Sequence, residues 1–349
     1  MIVLGVMSGT SLDGLDLALC HFTEEYNNMQ HELLQSATLP YNAEWIKRLS
    51  RAHQLTGREL VILNHEYGQF IGAAINNFIR EGKIKPSLIA SHGHTIFHEP
   101  DSGFTFQAGL GANIAAVTGL PCVSDFRILD VALGGQGAPL VPAGEIALYP
   151  GYDAYINLGG FANITIKTED KVLAFDISPC NYALNHAARK MNHSCDEGGE
   201  IARKGNISTQ LLDALNNLEF YNQEPPKSLG REWFERNFKV LLETGTTNNT
   251  DLLRTLCEHV AMQVSRVLLK YQVQKVLVTG GGAYNSFLIN LLKNKIRGTL
   301  VIPGKETIEY KEAIIFAYLG MLRYQNKVNC LKSVTGARMD NSGGTIFNI

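Results

Sequence analysis

Apolar and polar residues alternate along this chain in short blocks, beginning at the first residue. An apolar run from Ile2 to Val6 meets small and hydroxyl residues (Ser8, Gly9, Thr10, Ser11), and a second apolar run from Leu15 to Phe22 follows directly. That order predicts a strand, a tight loop and a returning strand. His31 to Leu39 reads as a third strand, and Gly57 to Glu81 carries Leu60, Leu63, Tyr67, Phe70, Ile71, Ala74, Ile75 and Phe78 at helical spacing. SLIASHGHTIFH reads as a strand running into a polar loop. FTFQAGLGANIAAVTGLPCVSDFR reads as a strand, a short helix and, after Pro121, another strand. Alternating strands and helices predict an α/β sheet.

From Tyr152 the opening pattern recurs. DAYINLGGFANITIKTEDKVLAFDIS is a strand, a Gly-Gly turn at Gly159 and Gly160, a second strand, a charged turn and a third strand. A helix from Asn181 to Met191 follows, then a long helix from Asp251 to Tyr271 with Leu252, Leu253, Leu256, Val260, Val264, Val267 and Leu268 along one stripe. KVLVTGGGAYNSFLINLLKNKI is a strand, three glycines and a helix; the last helix is expected near Lys311 to Tyr324, before a polar, glycine-containing tail. Two hairpin-led α/β units imply an internal duplication. The expected division is residues 1–150 and 151–310, with the C-terminal helix and tail, about 311–349, packing back on the first unit.

Composition narrows the partners. With 45% apolar residues, 18% charged residues and a net charge of −2, the chain gives no electrostatic case for nucleic acid or an anionic membrane. Its six cysteines lack any C-x-x-C pair, so neither a zinc ribbon nor a disulfide framework is expected. No apolar run reaches bilayer-spanning length, and residue 2 already begins a strand instead of an export signal. The expectation is a cytoplasmic protein whose partners are small molecules or another copy of the chain.

The first hairpin loop suits phosphate. Its glycines let backbone N–H groups approach an anion, the hydroxyls of Ser8, Thr10 and Ser11 are extra donors, and Asp13 and Asp16 are carboxylates able to hold Mg²⁺ with its waters. No Gly-Lys-Ser/Thr follows, so it is not a Walker loop, and the same residues would equally serve a turn without a ligand. Gly280, Gly281 and Gly282 stand at a predicted helix start, where N–H groups favour a nucleotide phosphate or ribose; a structural strand-to-helix turn explains them as well. His92, His94 and His98 have a spacing that could hold zinc, yet only Glu99 and Asp101 lie near to complete a site. His94 and His98 read as polar loop residues.

The segments GVMSGTSLDGLD, SHGHTIFHEP, SDFRILDVALGGQGAPLVP, INLGGFANIT, FDISPCN and VTGGGAYNSFL together resemble the anhydro-N-acetylmuramic acid kinase family, in the family's order and across nearly the whole chain. The resemblance implies two duplicated ribonuclease H-like domains of the actin and sugar kinase superfamily with an ATP cleft between them. It also implies an activity: with water and ATP, the anhydro ring of 1,6-anhydro-N-acetylmuramic acid is opened and its freed primary hydroxyl phosphorylated, giving N-acetylmuramic acid 6-phosphate in peptidoglycan recycling. The fold alone would not specify that chemistry. A homodimer is implied on the same ground.

Carried over residue by residue, Gly9, Thr10, Ser11, Leu12, Asp13, Gly14, Leu15 and Asp16 match the first ATP phosphate site. Asn157 to Ala162, with Gly159 and Gly160, match the second, and Gly280 to Gly282 match the adenosine-side motif. Arg127, Asp176 and Glu312 match the substrate cleft, and beside them His92 reads as lining of that cleft. Opening an internal acetal needs a base that deprotonates water, as in an inverting glycosidase. Asp176, expected at a strand end, is the candidate base, and Glu312 would orient the water or the sugar. The leaving oxygen needs no protein acid if it attacks the γ-phosphorus directly, while Arg127 would anchor the sugar carboxylate or stabilise developing negative charge.

Plainer readings stand beside these: Asp176 as a helix cap, Arg127 as a surface ion-pair residue, Glu312 as a first-turn glutamate. The chain also departs from the family's Asp-x-Gly-Pro-Gly-Asn, reading Asp176, Ile177, Ser178, Pro179, Cys180, Asn181, and has His94 where glutamine is frequent. Two other functions fit the fold: a kinase for another sugar, and an actin-like protein that uses ATP to change shape. Neither needs the trio of Arg127, Asp176 and Glu312 for water attack.

Overall fold

A computed structural model describes residues 1–9, 12–26, 28–244 and 247–349, so Thr10 and Ser11 of the expected phosphate loop lie outside the described residues. The chain forms two compact units, Met1–Pro150 with Tyr310–Ile349, and Gly151–Glu309. The first holds strands β1 (Ile2–Ser8), β2 (Gly14–Glu25), β3 (Asn28–Pro40), β4 (Leu88–Glu99), β5 (Phe104–Ala108) and β6 (Cys122–Ser124). The second holds β7 (Ala154–Leu158), β8 (Phe161–Lys167), β9 (Val172–Pro179), β10 (Lys275–Thr279) and β11 (Thr299–Val301), and β12 (Thr345–Phe347) returns to the first.

The first sheet runs β12-β6-β4-β1-β2-β3, and the second runs β11-β10-β7-β8-β9. In each, three antiparallel strands (β1-β2-β3 and β7-β8-β9) are extended on the far side of the leading strand by two parallel strands, β4 beside β1 and β6 beside β4 in one, β10 beside β7 and β11 beside β10 in the other. This is the ribonuclease H-like order occurring twice, and the expected α/β class and duplication are met. The first unit adds two antiparallel strands, β5 on β4 and β12 on the β6 edge.

Alternation along β1 explains the first unit's layers. Leu4 and Val6 join Leu15, Leu17 and Leu19 beneath the helix Gly57–Gly82, which buries Leu63, Tyr67, Ile71 and Ile75. Val3 and the even-numbered Ala18, Cys20 and Phe22 face the opposite way, against Ile314, Ile315, Phe316 and Leu319 of the helix Lys305–Tyr324. A capping box starts the Gly57–Gly82 helix: the Thr56 hydroxyl accepts from the Glu59 N–H while the Glu59 carboxylate accepts from the Thr56 N–H. On the other face, a Cβ at Gly5 would run into the Ala313 carbonyl. Glycine there lets the helix lie directly on β1.

The second unit has one core. Ile156 of β7, Ile164 of β8 and Phe175 of β9 pack with Leu252, Leu253, Leu256, Val260 and Val264 of the helix Asn249–Lys270. The Asn248 side chain caps that helix by accepting from the Asp251 N–H.

Three expectations are corrected. β4 runs unbroken to Glu99, so His92, His94 and His98 sit on a strand, not in a polar loop. The helix expected near Lys311 starts at Lys305, which places Glu312 about two turns in, outside any first-turn role. The glycines at 280–282 do not lead straight into an α-helix: they open a short 3₁₀ helix, Gly281–Tyr284, and the α-helix Ser286–Lys295 that follows is capped by Asn285.

Candidate active site

In the first unit the β1-β2 hairpin closes at the pair Ser8 and Leu15. Leu12 sits in its loop with φ of 62°, an uncommon conformation for a branched side chain, and its N–H donates to the Gly9 carbonyl at 3.3 Å. Asp13 is exposed, and Gly14 and Leu15 are buried at the start of β2. Asp16 accepts a hydrogen bond from the Thr38 hydroxyl of β3 at 2.6 Å. Ser8 departs from expectation: its hydroxyl points inward, 2.7 Å from the Tyr41 hydroxyl and 2.9 Å from His94 Nδ1, and Tyr41 in turn bonds Tyr67. It is a buried brace beneath the loop and not a phosphate donor. His94 belongs to that brace, and burial pushes its pKa down to about 4.

The substrate-cleft candidates of this unit converge. Arg127, at the start of the short helix Ile128–Ala132, donates from Nε to His92 Nε2 at 2.9 Å and from Nη1 to the Gly137 carbonyl at 2.7 Å. Accepting at Nε2 puts the imidazole proton on Nδ1, where it reaches the Gly93 carbonyl at 2.9 Å. Burial, then the Arg127 charge, hold the His92 pKa well below the ordinary histidine range, so His92 is a neutral acceptor. Burial lowers Arg127 to about 10, still charged at neutral pH. These contacts replace the surface ion-pair reading.

Helical spacing brings Glu312 to the same place. Phe316, one turn later, packs its ring 4.6 Å from His92, and residues four apart share a face. Burial raises the Glu312 pKa; Lys311 and Arg127 pull it down, while Asp16 and Glu145 add to the rise. Beside it lies a pair that sequence reasoning missed, Lys311 and Glu145, joined at 2.5 Å with both side chains about 95% buried. Its only sequence signal is a glutamate inside the apolar run VPAGEIAL.

In the second unit Asp176 lies inside β9, opposite Asn163, three residues before the strand ends. Its edge is covered by residues 227–229: Asp176 N–H donates to the Lys227 carbonyl at 3.1 Å and its Oδ2 accepts from the Leu229 N–H at 2.7 Å. It does not cap the helix Asn181–Arg189, whose N-cap is Cys180. Burial raises the Asp176 pKa to about 6, with the Leu229 hydrogen bond pulling the other way and no charged group contributing. That is a carboxyl poised to exchange a proton near neutral pH.

The second hairpin turn is fixed by the same helix start. Cys180 and Tyr182 N–H groups donate to the Gly160 carbonyl and Asn181 N–H to that of Gly159, while Asn181 Nδ2 donates to the Leu158 carbonyl at 2.9 Å. Pro179 and Asn181 thus hold the turn without the family's two glycines. Gly280, at φ of 81°, lies against Asn157 and Leu158, and a Cβ at Gly282 would stand 2.7 Å from the Leu158 Cβ. The glycines at 280–282 and the end of β7 before the Gly159–Gly160 turn are therefore one packed cluster. Among the described residues no group of three His, Cys, Asp or Glu is arranged to hold a metal, which removes the histidine zinc reading. No described helix is long and apolar enough to cross a membrane.

Known proteins resemble the chain throughout. The profile of the family described as anhydro-N-acetylmuramic acid kinase matches residues 1–349. A relative of that name from Caldanaerobacter subterraneus subsp. tengcongensis is 33% identical, covering 97% of this chain and 94% of its own. One from Sulfurovum sp. is 35% identical, covering 99% and 98%. Among solved structures, the activator of 2-hydroxyisocaproyl-CoA dehydratase from Clostridium difficile with bound ADPNP aligns with a TM-score of 0.47 at 13% identity, covering 93% of this chain and 96% of that one. With a profile match from end to end and relatives above 30% identity over almost their full length, the chain belongs to the anhydro-N-acetylmuramic acid kinase family.

Proposed function

We propose that the chain uses water and ATP to convert 1,6-anhydro-N-acetylmuramic acid into N-acetylmuramic acid 6-phosphate, with Asp176 as the base. The observation that carries the assignment is the carboxyl of Asp176, raised to about 6 by burial alone and oriented through Oδ2 by the Leu229 amide. Oδ1 takes the proton from water as the water oxygen bonds to the anomeric carbon. The bond from that carbon to O6 breaks, and its electron pair stays on O6, which attacks the γ-phosphorus of ATP and displaces ADP. The phosphoryl group thus takes the place of a proton from a protein acid.

The first unit supplies recognition and charge. Arg127, held by His92 and the Gly137 carbonyl, presents its remaining N–H groups to the sugar carboxylate or to developing negative charge. Glu312 orients the water or the sugar. The amides of the loop from Gly9 to Asp16, the Gly159–Gly160 turn and the glycines at 280–282 receive the nucleotide. Asp16, a carboxylate held by the Thr38 hydroxyl, and the exposed Asp13 offer the hard oxygen donors that suit Mg²⁺, whose contribution when bound is to offset charge on phosphate oxygens. Incubation with ATP, Mg²⁺ and the anhydro sugar, followed by mass spectrometry and ³¹P NMR, tests the reading. ADP and a 6-phosphorylated, ring-opened sugar are expected; absence of turnover, or phosphorylation with the anhydro ring intact, would refute it.

A further inference from the structure

The Asp130 side chain accepts four hydrogen bonds, and the chemistry above does not use it. It is completely buried, yet its hydrogen-bond partners are all uncharged. Oδ1 accepts from Cys330 Sγ at 3.0 Å, Thr335 Oγ1 at 2.9 Å and Asn341 Nδ2 at 2.9 Å; Oδ2 accepts from the Gly137 N–H at 2.8 Å. A buried carboxylate is tolerated only when its lone pairs are filled. Here they are filled by two segments some 200 residues apart in sequence. Backbone bonds follow the same seam, with Gln136 N–H donating to the Thr335 carbonyl at 2.8 Å and Arg338 N–H to the Leu133 carbonyl at 3.1 Å.

The Gly137 amide held by Asp130 belongs to the residue whose carbonyl accepts from Arg127 Nη1. We infer that Asp130 is a positioning residue for Arg127, fixing the guanidinium through Gly137 and clamping that loop to the C-terminal tail. The tail at 330–341 thereby becomes part of the reaction's support without touching substrate. Gly137 cannot easily be replaced, since it has φ of 64° and a Cβ there would meet Val131 Cγ2 at 2.7 Å. In sequence the signal is a lone acid inside the apolar run ILDVAL, three residues after Arg127.

This rests on the reading of Arg127 given above, and a double-mutant cycle separates the two. Asp130→Asn keeps a carbonyl oxygen for the three tail donors and turns its NH₂ toward the Gly137 N–H, so it breaks the Arg127 link selectively. It should lower kcat/KM at least about tenfold in the wild-type background, since small misplacements of a positioning group are felt strongly, and by less than about twofold in Arg127→Ala. Thr335→Val removes one tail donor but leaves Gly137 held; its kcat/KM should stay within about threefold of wild type even where its Tm falls. If Asp130→Asn fails to fold, Gly137→Ala takes its place in the same cycle. Equal fold losses in both backgrounds, or no loss in either, would overturn the inference while leaving Arg127 intact. An Arg127→Ala enzyme with undiminished kcat/KM would overturn the reading of Arg127 itself, and this inference with it.

Discussion

The two units share one strand order but hold their candidate functional groups differently. In the first, Arg127 is fixed by two acceptors, His92 and the Gly137 carbonyl, and Lys311 holds Glu145 in a buried ion pair. In the second, Asp176 is held by one backbone amide with no charged partner among the described residues, and burial raises its pKa against the pull of that amide. Pairing keeps a charge fixed, which suits the binding of a carboxylate or a phosphate. Leaving a carboxyl unpaired raises its proton affinity, which suits a base. On the proposed reading, the first unit serves recognition and the second proton transfer.

The strongest way to break this contrast is to remove the unpaired carboxyl. Asp176→Asn should lower kcat by about 10²–10⁴-fold, the usual worth of a general base, with nucleotide binding retained by calorimetry. Its stability should move the other way. The folded pKa of Asp176 stands above its unfolded value of 3.8, so the contribution of the protonated group is lost as pH rises through about 6, and at neutral pH the charge destabilises the fold. The asparagine variant should be more stable at pH 7 by up to about 3 kcal/mol, a gain that largely vanishes near pH 4.

Breaking a pair in the first unit should do the reverse. Lys311→Met strands Glu145 in the core and should cost about 3–5 kcal/mol, read by chemical denaturation, whereas Lys311→Met with Glu145→Leu should recover most of it. A double variant as unstable as the single would contradict the pairing argument. Below these lies the pH profile. Since the base works deprotonated, kcat/KM should fall about tenfold per pH unit below about 6 and stay flat above it. A profile flat to pH 4.5 would show that Asp176 is not the titrating group.

The smallest effect concerns His94. Its folded pKa of about 4 lies below the unfolded value of 6.5, so wild-type stability should decline as pH falls from 6.5 toward 4. His94→Gln, which can still bond Ser8, should remove on the order of 1–2 kcal/mol of that decline. An unchanged slope in the variant would locate the pH dependence elsewhere.

These contrasts also mark what could be read from sequence. The hairpins, the long helices and the duplication follow from local alternation, which a strand or an amphipathic helix imposes within a few residues. Read locally, His92, His94 and His98 look like loop residues and end β4 early; the first two are satisfied in place by Arg127 and Ser8, which only the fold brings near. The plainer reading of Glu312 as a first-turn residue arises because Lys305–Glu309 is polar enough to hide a helix start. The roles of Asp176, Arg127 and Glu312 came from resemblance, and the plainer alternatives of helix cap, surface ion pair and first-turn glutamate fell to particular contacts. Asp130 and the Lys311–Glu145 pair stayed invisible because each spans more than a hundred residues.

The central claim is that Asp176 activates water for ring opening in the same event that phosphorylates O6. It is tested most directly by turnover of the anhydro sugar with ATP and Mg²⁺ in ¹⁸O-labelled water, with the product mapped by mass spectrometry and NMR. One ¹⁸O at the anomeric hydroxyl and unlabelled phosphate on O6, both lost together in Asp176→Asn, is the predicted result. Phosphorylated product without label at the anomeric position, or full labelling and turnover in Asp176→Asn, would contradict it.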